Sequence, residues 1–177
     1  MEFKDLGLPK EILKAVTKLG FETPSEIQEK AIPILSEGKQ DFVGLAQTGT
    51  GKTAAFGLPM IQHIDFDDRT TQALIICPTR ELCMQITRDL DTFAIYQNNP
   101  NITAVYGGAN ISDQIRKLKK GAQIVVATPG RLLDLINRKA VKLKSVQRVV
   151  LDGIDVLFEA HVKHFVCFIQ HHPLNRF

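Results

Sequence analysis

Cysteine is scarce here: Cys77, Cys83 and Cys167 are the only three, an odd number without framework spacing. That argues against a disulfide scaffold and fits reduced thiols. No apolar run approaches the roughly 18 residues of a membrane span, and the Met1–Asp5 start lacks a signal-peptide core. A cytoplasmic protein with no membrane partner is therefore expected. Charge of one sign is also missing, because 22 Lys+Arg against 19 Asp+Glu leave a net charge of +3. A field that weak does not identify a polyanionic partner, so any nucleic-acid function must rest on placed residues. Internal repeats, low-complexity tracts and an evident interdomain linker are absent too. What remains is 177 residues, 44% hydrophobic and 23% charged, enough for one domain with a real core and too few for a second.

Apolar positions Leu8, Ile12, Val16 and Leu19 recur at helical spacing before Gly20, and Ile27, Ala31, Ile34 and Leu35 repeat the pattern after Ser25. Pro33 lacks an N–H and is expected to break or restart that second helix near Ala31. Short β-branched runs then alternate with helical segments. The expected strands are 42–45, 73–77, 102–105, 124–127 and 149–151; the expected helices are 52–64, 81–93, 112–119 and 131–137. The runs are too apolar for a half-exposed sheet. They predict an α/β fold, a mostly parallel sheet with helices on both faces and ligands beyond the strands' carboxyl ends.

The segment Ala46-Gln47-Thr48-Gly49-Thr50-Gly51-Lys52-Thr53 lies between an expected strand and an expected helix, the context that makes a phosphate-binding loop, although Ala46 replaces the first glycine of the general pattern. Gly49 and Gly51 let the backbone wrap phosphates, Lys52 would reach the β- and γ-phosphates, and the Thr53 hydroxyl would bind Mg²⁺. A nucleotide loop of this kind needs a carboxylate at another strand end, and Asp152, after Val149-Val150-Leu151, is the candidate. A helix cap or turn aspartate is the alternative reading of Asp152.

The motif order over Phe3 to Asp155 resembles the DEAD-box RNA helicases, specifically their N-terminal RecA-like domain. Gly20-Phe21-Glu22-Thr23-Pro24-Ser25-Glu26-Ile27-Gln28 resembles the family's Q motif, with Phe3 at its upstream aromatic. By that resemblance Gln28 hydrogen-bonds the adenine edge, Phe3 stacks on the ring, and Thr23, Gln47, Thr48, Gly49, Thr50, Gly51, Lys52 and Thr53 belong to the ATP site. Pro78-Thr79-Arg80-Glu81 resembles motif Ia, Gly107-Gly108 the glycine pair, and Thr128-Pro129-Gly130-Arg131 motif Ib. In the family these contact the sugar-phosphate backbone of RNA, which reads no base edges. Without the family, Gln28 is a polar position on an amphipathic helix, and each of the other three is a strand-to-helix turn. The clusters Arg116, Lys117, Lys119, Lys120 and Lys139, Lys142, Lys144 read as solvated surface, with an extended phosphate-binding surface as the alternative.

The sequence departs from the family at its signature tetrapeptide, here Asp152-Gly153-Ile154-Asp155. The resemblance keeps Asp152 in the magnesium role and Asp155 in the link to neighbouring motifs. Gly153 stands where the family has the glutamate that activates water, and loss of a general base costs a factor of roughly 10²–10⁴. Lys52 and Asp152 are then the remaining catalytic candidates.

Residues beyond Asp155 change in composition: four of the five histidines fall there, and no acidic residue follows Glu159. Phe158, Val162, Val166 and Ile169 are spaced as a helical stripe, which suggests a divergent helix and loop; an altered end that is rich in Phe and His by chance is the alternative. His164, Cys167 and His171 would share one helical face, but no other segment supplies a further metal ligand. The resemblance further implies a single domain over 1–177: Q-motif helices at 1–38, a phosphate-loop core at 39–155 and a divergent tail at 156–177. The motif III strand and the second helicase domain are expected to be missing. A central gap in the sheet would follow, with completion by self-association as one remedy.

Overall fold

The computed structural model describes residues 1–47 and 49–153 and, as backbone, the strand Phe165–Gln170. A 3₁₀ turn at Phe3–Leu6 leads into α1 (Lys10–Lys18) and α2 (Glu26–Glu37). The alternating part follows as β1 (Phe42–Leu45), α3 (Lys52–Gln62), β2 (Ala73–Ile76), α4 (Arg80–Phe93), β3 (Ile102–Val105), α5 (Ile111–Lys119), β4 (Ile124–Ala127), α6 (Pro129–Asn137), β5 (Arg148–Asp152) and β6 (Phe165–Gln170). These bounds lie within two residues of the expected strands and helices from residue 42 to residue 152.

The six strands run in the order β1-β6-β5-β2-β4-β3. Strands β5, β2, β4 and β3 are mutually parallel; β6 is antiparallel to both β5 and β1, which leaves β1 in the common direction. Alternation along each buried strand divides the core in two, since successive side chains point to opposite faces. Ala73, Ile75, Ile124, Val126 and Val150 pack under α1 to α4 with Ile12, Ile32, Leu58, Met60, Ile86 and Leu90. Leu74, Val105, Val125 and Ala127 pack on the other face with Leu132 and Leu135 of α6 and Ile115 and Leu118 of α5. The expected coverage of both faces is present.

Two expectations need correction. Helix α2 continues through Pro33 from Glu26 to Glu37. The hydrogen bond lost at an interior proline costs about 3 kcal/mol. Ala31, Ile32 and Leu35 are each at most 1% exposed in the main core. Burying such a stripe offsets that cost at roughly 1.5–3 kcal/mol per large aliphatic side chain.

The second correction concerns the tail. Val166 and Ile169 lie in a strand, not on a helical stripe; Phe158 and Val162 lie outside the described residues. β6 pairs Asp152 with Val166 and Leu45 with Phe165, and so lies between β1 and β5, where a central gap is expected. A strand joining a parallel neighbour needs a crossover of about a dozen residues or more, whereas an antiparallel return re-enters the sheet from the end it left. The physical ground for self-association is thereby removed. Cys167 sits in the strand, so the helical metal face fails there, while His164 and His171 lie outside the described residues. Among the described residues no group of three His, Cys, Asp or Glu could hold a metal ion.

Candidate functional site

Because β1, β5, β2, β4 and β3 share one direction, their carboxyl ends form one edge of the sheet, and each ends in a segment singled out in the sequence. The loop after β1 is stitched to the start of α2. The Ser25 hydroxyl donates to the Thr50 carbonyl oxygen at 2.7 Å, and Gln28 Nε2 donates to the Gly51 carbonyl oxygen at 3.1 Å. Gln28 Oε1 accepts the Ser25 N–H at 2.9 Å as part of a capping box, which explains a carboxamide only 6% exposed. Both ends of the Gln28 side chain are thus engaged within the protein.

Within the loop, Thr50 Oγ1 donates to the Gln47 carbonyl oxygen and Lys52 Nζ to the Ala46 carbonyl oxygen, each at 2.7 Å. The ammonium therefore folds across its own loop, where an anion entering the cradle competes with a neutral carbonyl for it. Among the described residues the hydroxyls of Thr53 and Thr23 form no hydrogen bond. Thr48 and Asp155 lie outside the described residues.

Asp152 closes β5 and is 5% exposed. Its charge is felt by Cys77 at the end of β2: the thiol is pushed up first by its hydrogen bond with the Cys83 side chain, then by burial, and further by Cys83 and Asp152. Gly153 follows with φ +67° and faces Leu82 and Pro78 of the neighbouring turn. A hydroxyl at Thr53 and a buried carboxylate at Asp152 are hard oxygen donors suited to Mg²⁺, which completes its shell with water and phosphate oxygens.

The three remaining turns are joined to each other. Arg80 places its guanidinium over the Tyr106 ring, 5.0 Å from the centroid, and its Nη1 reaches the space beside Gly108. Arg131 donates from both Nη atoms to the Ala109 carbonyl oxygen at 3.2 Å and from Nη1 to Gln114 Oε1 at 3.0 Å; Gln114 Nε2 in turn donates to the Tyr106 carbonyl oxygen. Thr79 Oγ1 caps α4 by accepting the Leu82 N–H at 3.2 Å. Pro78, Thr79, Arg80, Glu81, Gly107, Gly108, Pro129 and Gly130 are exposed, with Thr128 and Arg131 half-buried. The result is a continuous polar margin at the ends of β2, β3 and β4, with two helix starts and two guanidinium groups, chemistry suited to phosphates.

The aromatic position is layered. Phe3 is 5% exposed in the main core and stacks on Phe21 at 6.1 Å and 28°, while Phe21 is 38% exposed and meets Phe93 edge-on. A planar ligand approaching this stack meets Phe21 first. Periodicity could not have singled out Phe21, because an exposed aromatic is visible only after the core has been filled.

The DEAD/DEAH box helicase family model matches residues 25–171. Over 154 residues the chain is 54% identical to the ATP-dependent RNA helicase CshA of Listeria monocytogenes, covering 87% of this chain and 29% of that protein. It is 50% identical over 153 residues to the ATP-dependent RNA helicase DeaD of Haemophilus influenzae, covering 86% and 25%. Among solved structures, a DEAD box protein from the hyperthermophile Methanococcus jannaschii superposes with TM-score 0.81 at 41% identity, over 85% of this chain and 41% of that one. S. cerevisiae Dbp5 bound to RNA and ADP BeF3 superposes with TM-score 0.77 at 32% identity, over 90% and 40%. The chain thus spans between a quarter and a third of the length of these two curated relatives. With the family model matched across most of its length and the RecA-like fold in agreement, the chain belongs to the DEAD/DEAH box helicase family.

Proposed function

We propose that this chain is the ATP-binding and RNA-binding N-terminal domain of a DEAD-box RNA helicase, acting in unwinding only within a two-domain protein. The observation that carries the reading is the stitched loop: Ser25 and Gln28 of the Q motif hold Thr50 and Gly51 of the phosphate loop, on the same sheet edge as Asp152 and the three linked turns. In this reading residues 1–38 carry the Q motif, 39–155 the nucleotide and RNA core, and 156–177 the divergent tail.

ATP entering the loop draws the Lys52 ammonium away from the Ala46 carbonyl and onto the β- and γ-phosphates, whose charge outcompetes a neutral acceptor. Loop N–H groups and the start of α3 meet the remaining phosphate charge. Magnesium, held by the Thr53 hydroxyl and Asp152 partly through water, would neutralise charge developing between the β- and γ-phosphates. Adenine is read at the Q motif, where Gln28 must exchange one internal hydrogen bond for the base and Phe21 over Phe3 offers a stacking face. Pro78 to Glu81, Gly107, Gly108 and Thr128 to Arg131 take the RNA backbone, single-stranded or within a duplex, without sequence readout. The family relation supports a cytoplasmic setting.

A second reading, a nucleotide- and RNA-binding module without turnover, is favoured by Gly153, which offers no side chain to accept a proton from water. Fluorescent ATP binding followed by single-turnover hydrolysis, with and without single-stranded RNA, separates the two for this chain and for Gly153→Glu. Binding without turnover in the unmodified chain supports the module. Turnover there supports the enzyme, and absence of ATP binding overturns both.

A further inference from the structure

Lys119 and Lys120 of the first basic cluster that reads as solvated surface in the sequence converge in space with Lys139, Lys142 and Lys144 of the second. A groove of about 700 Å³ lies at the amino ends of β2, β4 and β5, the sheet edge opposite the nucleotide loop and the three linked turns. Its rim carries Arg69, Lys119, Lys120, Lys139, Lys142 and Lys144, all exposed. None of these six forms an ion pair among the described residues. Asp68 is the one carboxylate among the lining residues, and it is already engaged by Thr70, whose N–H and Oγ1 each donate to it at 2.8 Å.

Helix-dipole complementarity accounts for Lys119 and Lys120 at the carboxyl end of α5, but not for Lys142 and Lys144, which belong to no helix. The wall is preformed. Gly121 lies so close to Arg69 that a Cβ there would fall 2.8 Å from the Arg69 carbonyl oxygen, and Asn101 Nδ2 donates to the Gly121 carbonyl oxygen.

The floor is aliphatic, formed by Leu118, Ala122, Ala140 and Val141, and no aromatic side chain lines it. Single-stranded nucleic acid draws its affinity from base stacking on aromatics as well as charge, so an aliphatic floor leaves the bases without a platform. A basic rim over aliphatic side chains instead complements carboxylates interleaved with apolar residues. We propose that this groove is a docking site for a short acidic peptide segment of a partner protein, one carrying apolar side chains between its carboxylates. Lying on the opposite edge, it can be filled while RNA and nucleotide occupy theirs.

The test uses a fluorescein-labelled 12-residue peptide alternating Glu with Leu and Ala, an all-Glu peptide of equal length, and a labelled single-stranded oligouridylate. Binding is read by fluorescence anisotropy against the full chain, a Lys139→Glu/Lys142→Glu/Lys144→Glu variant, and a control Lys10→Glu/Lys14→Glu/Lys18→Glu variant. All six positions are exposed lysines, and circular dichroism verifies that both variants fold. The expected result is saturable binding of the Glu/Leu/Ala peptide, weakened about tenfold by reversal at 139, 142 and 144 and unchanged in the control, with the all-Glu peptide bound more weakly. Equal loss in both variants, no peptide binding, equal affinity for the all-Glu peptide, or an effect of the 139/142/144 reversal confined to the oligouridylate would each overturn the assignment.

Discussion

Gln28 Nε2 donates to the Gly51 carbonyl oxygen at 3.1 Å, so a side chain on α2 holds the backbone at the turn from the phosphate loop into α3. Replacing it with Ala strands the Ser25 N–H and the Gly51 carbonyl oxygen in a part-buried site, at about 1–3 kcal/mol. Thermal unfolding of Gln28→Ala should show a drop of several degrees, with fluorescent ATP affinity falling as well. Gln28→Glu keeps the acceptor for Ser25 and loses the donor to Gly51. It should lie between Ala and the unmodified chain, and equal stability of all three would remove the tether from the argument.

Gly153 tests backbone against chemistry. At φ +67° any L side chain costs about 1–2 kcal/mol, and a Cβ there meets Leu82 Cδ2 at 3.3 Å. Gly153→Ala should therefore lower the denaturation midpoint, with Gly153→Asn less harmful because asparagine tolerates the left-handed region. Gly153→Glu supplies a carboxyl while incurring the same strain, so any gain in turnover should come with lower stability.

His63 gives the chain a pH response. Burial, and then the positive charge of Arg148, lower its pKa below the ordinary value of 6.5, while Nε2 contacts the Leu35 carbonyl oxygen at 3.2 Å. The unfolded chain takes up the proton first, so stability is full above pH 6.5, falls as pH drops through it, and levels off once the folded His63 is also protonated. Burial raises the carboxyls of Asp89 and Asp91, which acts in the opposite direction at lower pH as they gain protons in the folded state. Melting temperatures between pH 8 and pH 5.5 should fall in the unmodified chain and change less in His63→Gln. An identical slope in both would exclude His63 as the source.

Arg131 supports the loop after β3 through three hydrogen bonds to Ala109 and Gln114. Lysine keeps the charge but loses the planar fork, so Arg131→Lys should weaken oligouridylate binding about tenfold. ATP binding, on a separate loop, should not change. If ATP affinity falls equally, Arg131 is stabilising the whole domain instead of positioning the turn.

Strands β2 and β4 were legible because short, doubly covered strands must be apolar along their whole length, and turns at their ends must carry Gly, Pro or a helix cap. The turn between β1 and α3 was legible because its glycines fall between an apolar strand run and a helical pattern. α2 was misjudged at Pro33 because local chemistry does not register what Ile32 and Leu35 gain from tertiary burial. The tail was misjudged because Val166 and Ile169 fit a helical stripe as well as a strand, and only pairing partners on both sides decide between them. The lysine groove was invisible because residues 69, 119–120 and 139–144 meet only through the topology. The resemblance assigns the stacking role to Phe3, and only the folded chain shows Phe3 buried against the more exposed Phe21.

The antiparallel β6 also dictates a timetable. Phe42 of β1 finds its partner in Phe168, more than two thirds of the chain away, and among the described residues no strand made in between is paired with β1. On the ribosome, β2, β4 and β3 can assemble and receive α4 to α6 while β1 waits with an open edge. Strand β1, which leads into the loop proposed to bind nucleotide, is therefore the last of these strands to be paired, and until β6 emerges it is a natural point of capture for a chaperone or a neighbouring nascent chain.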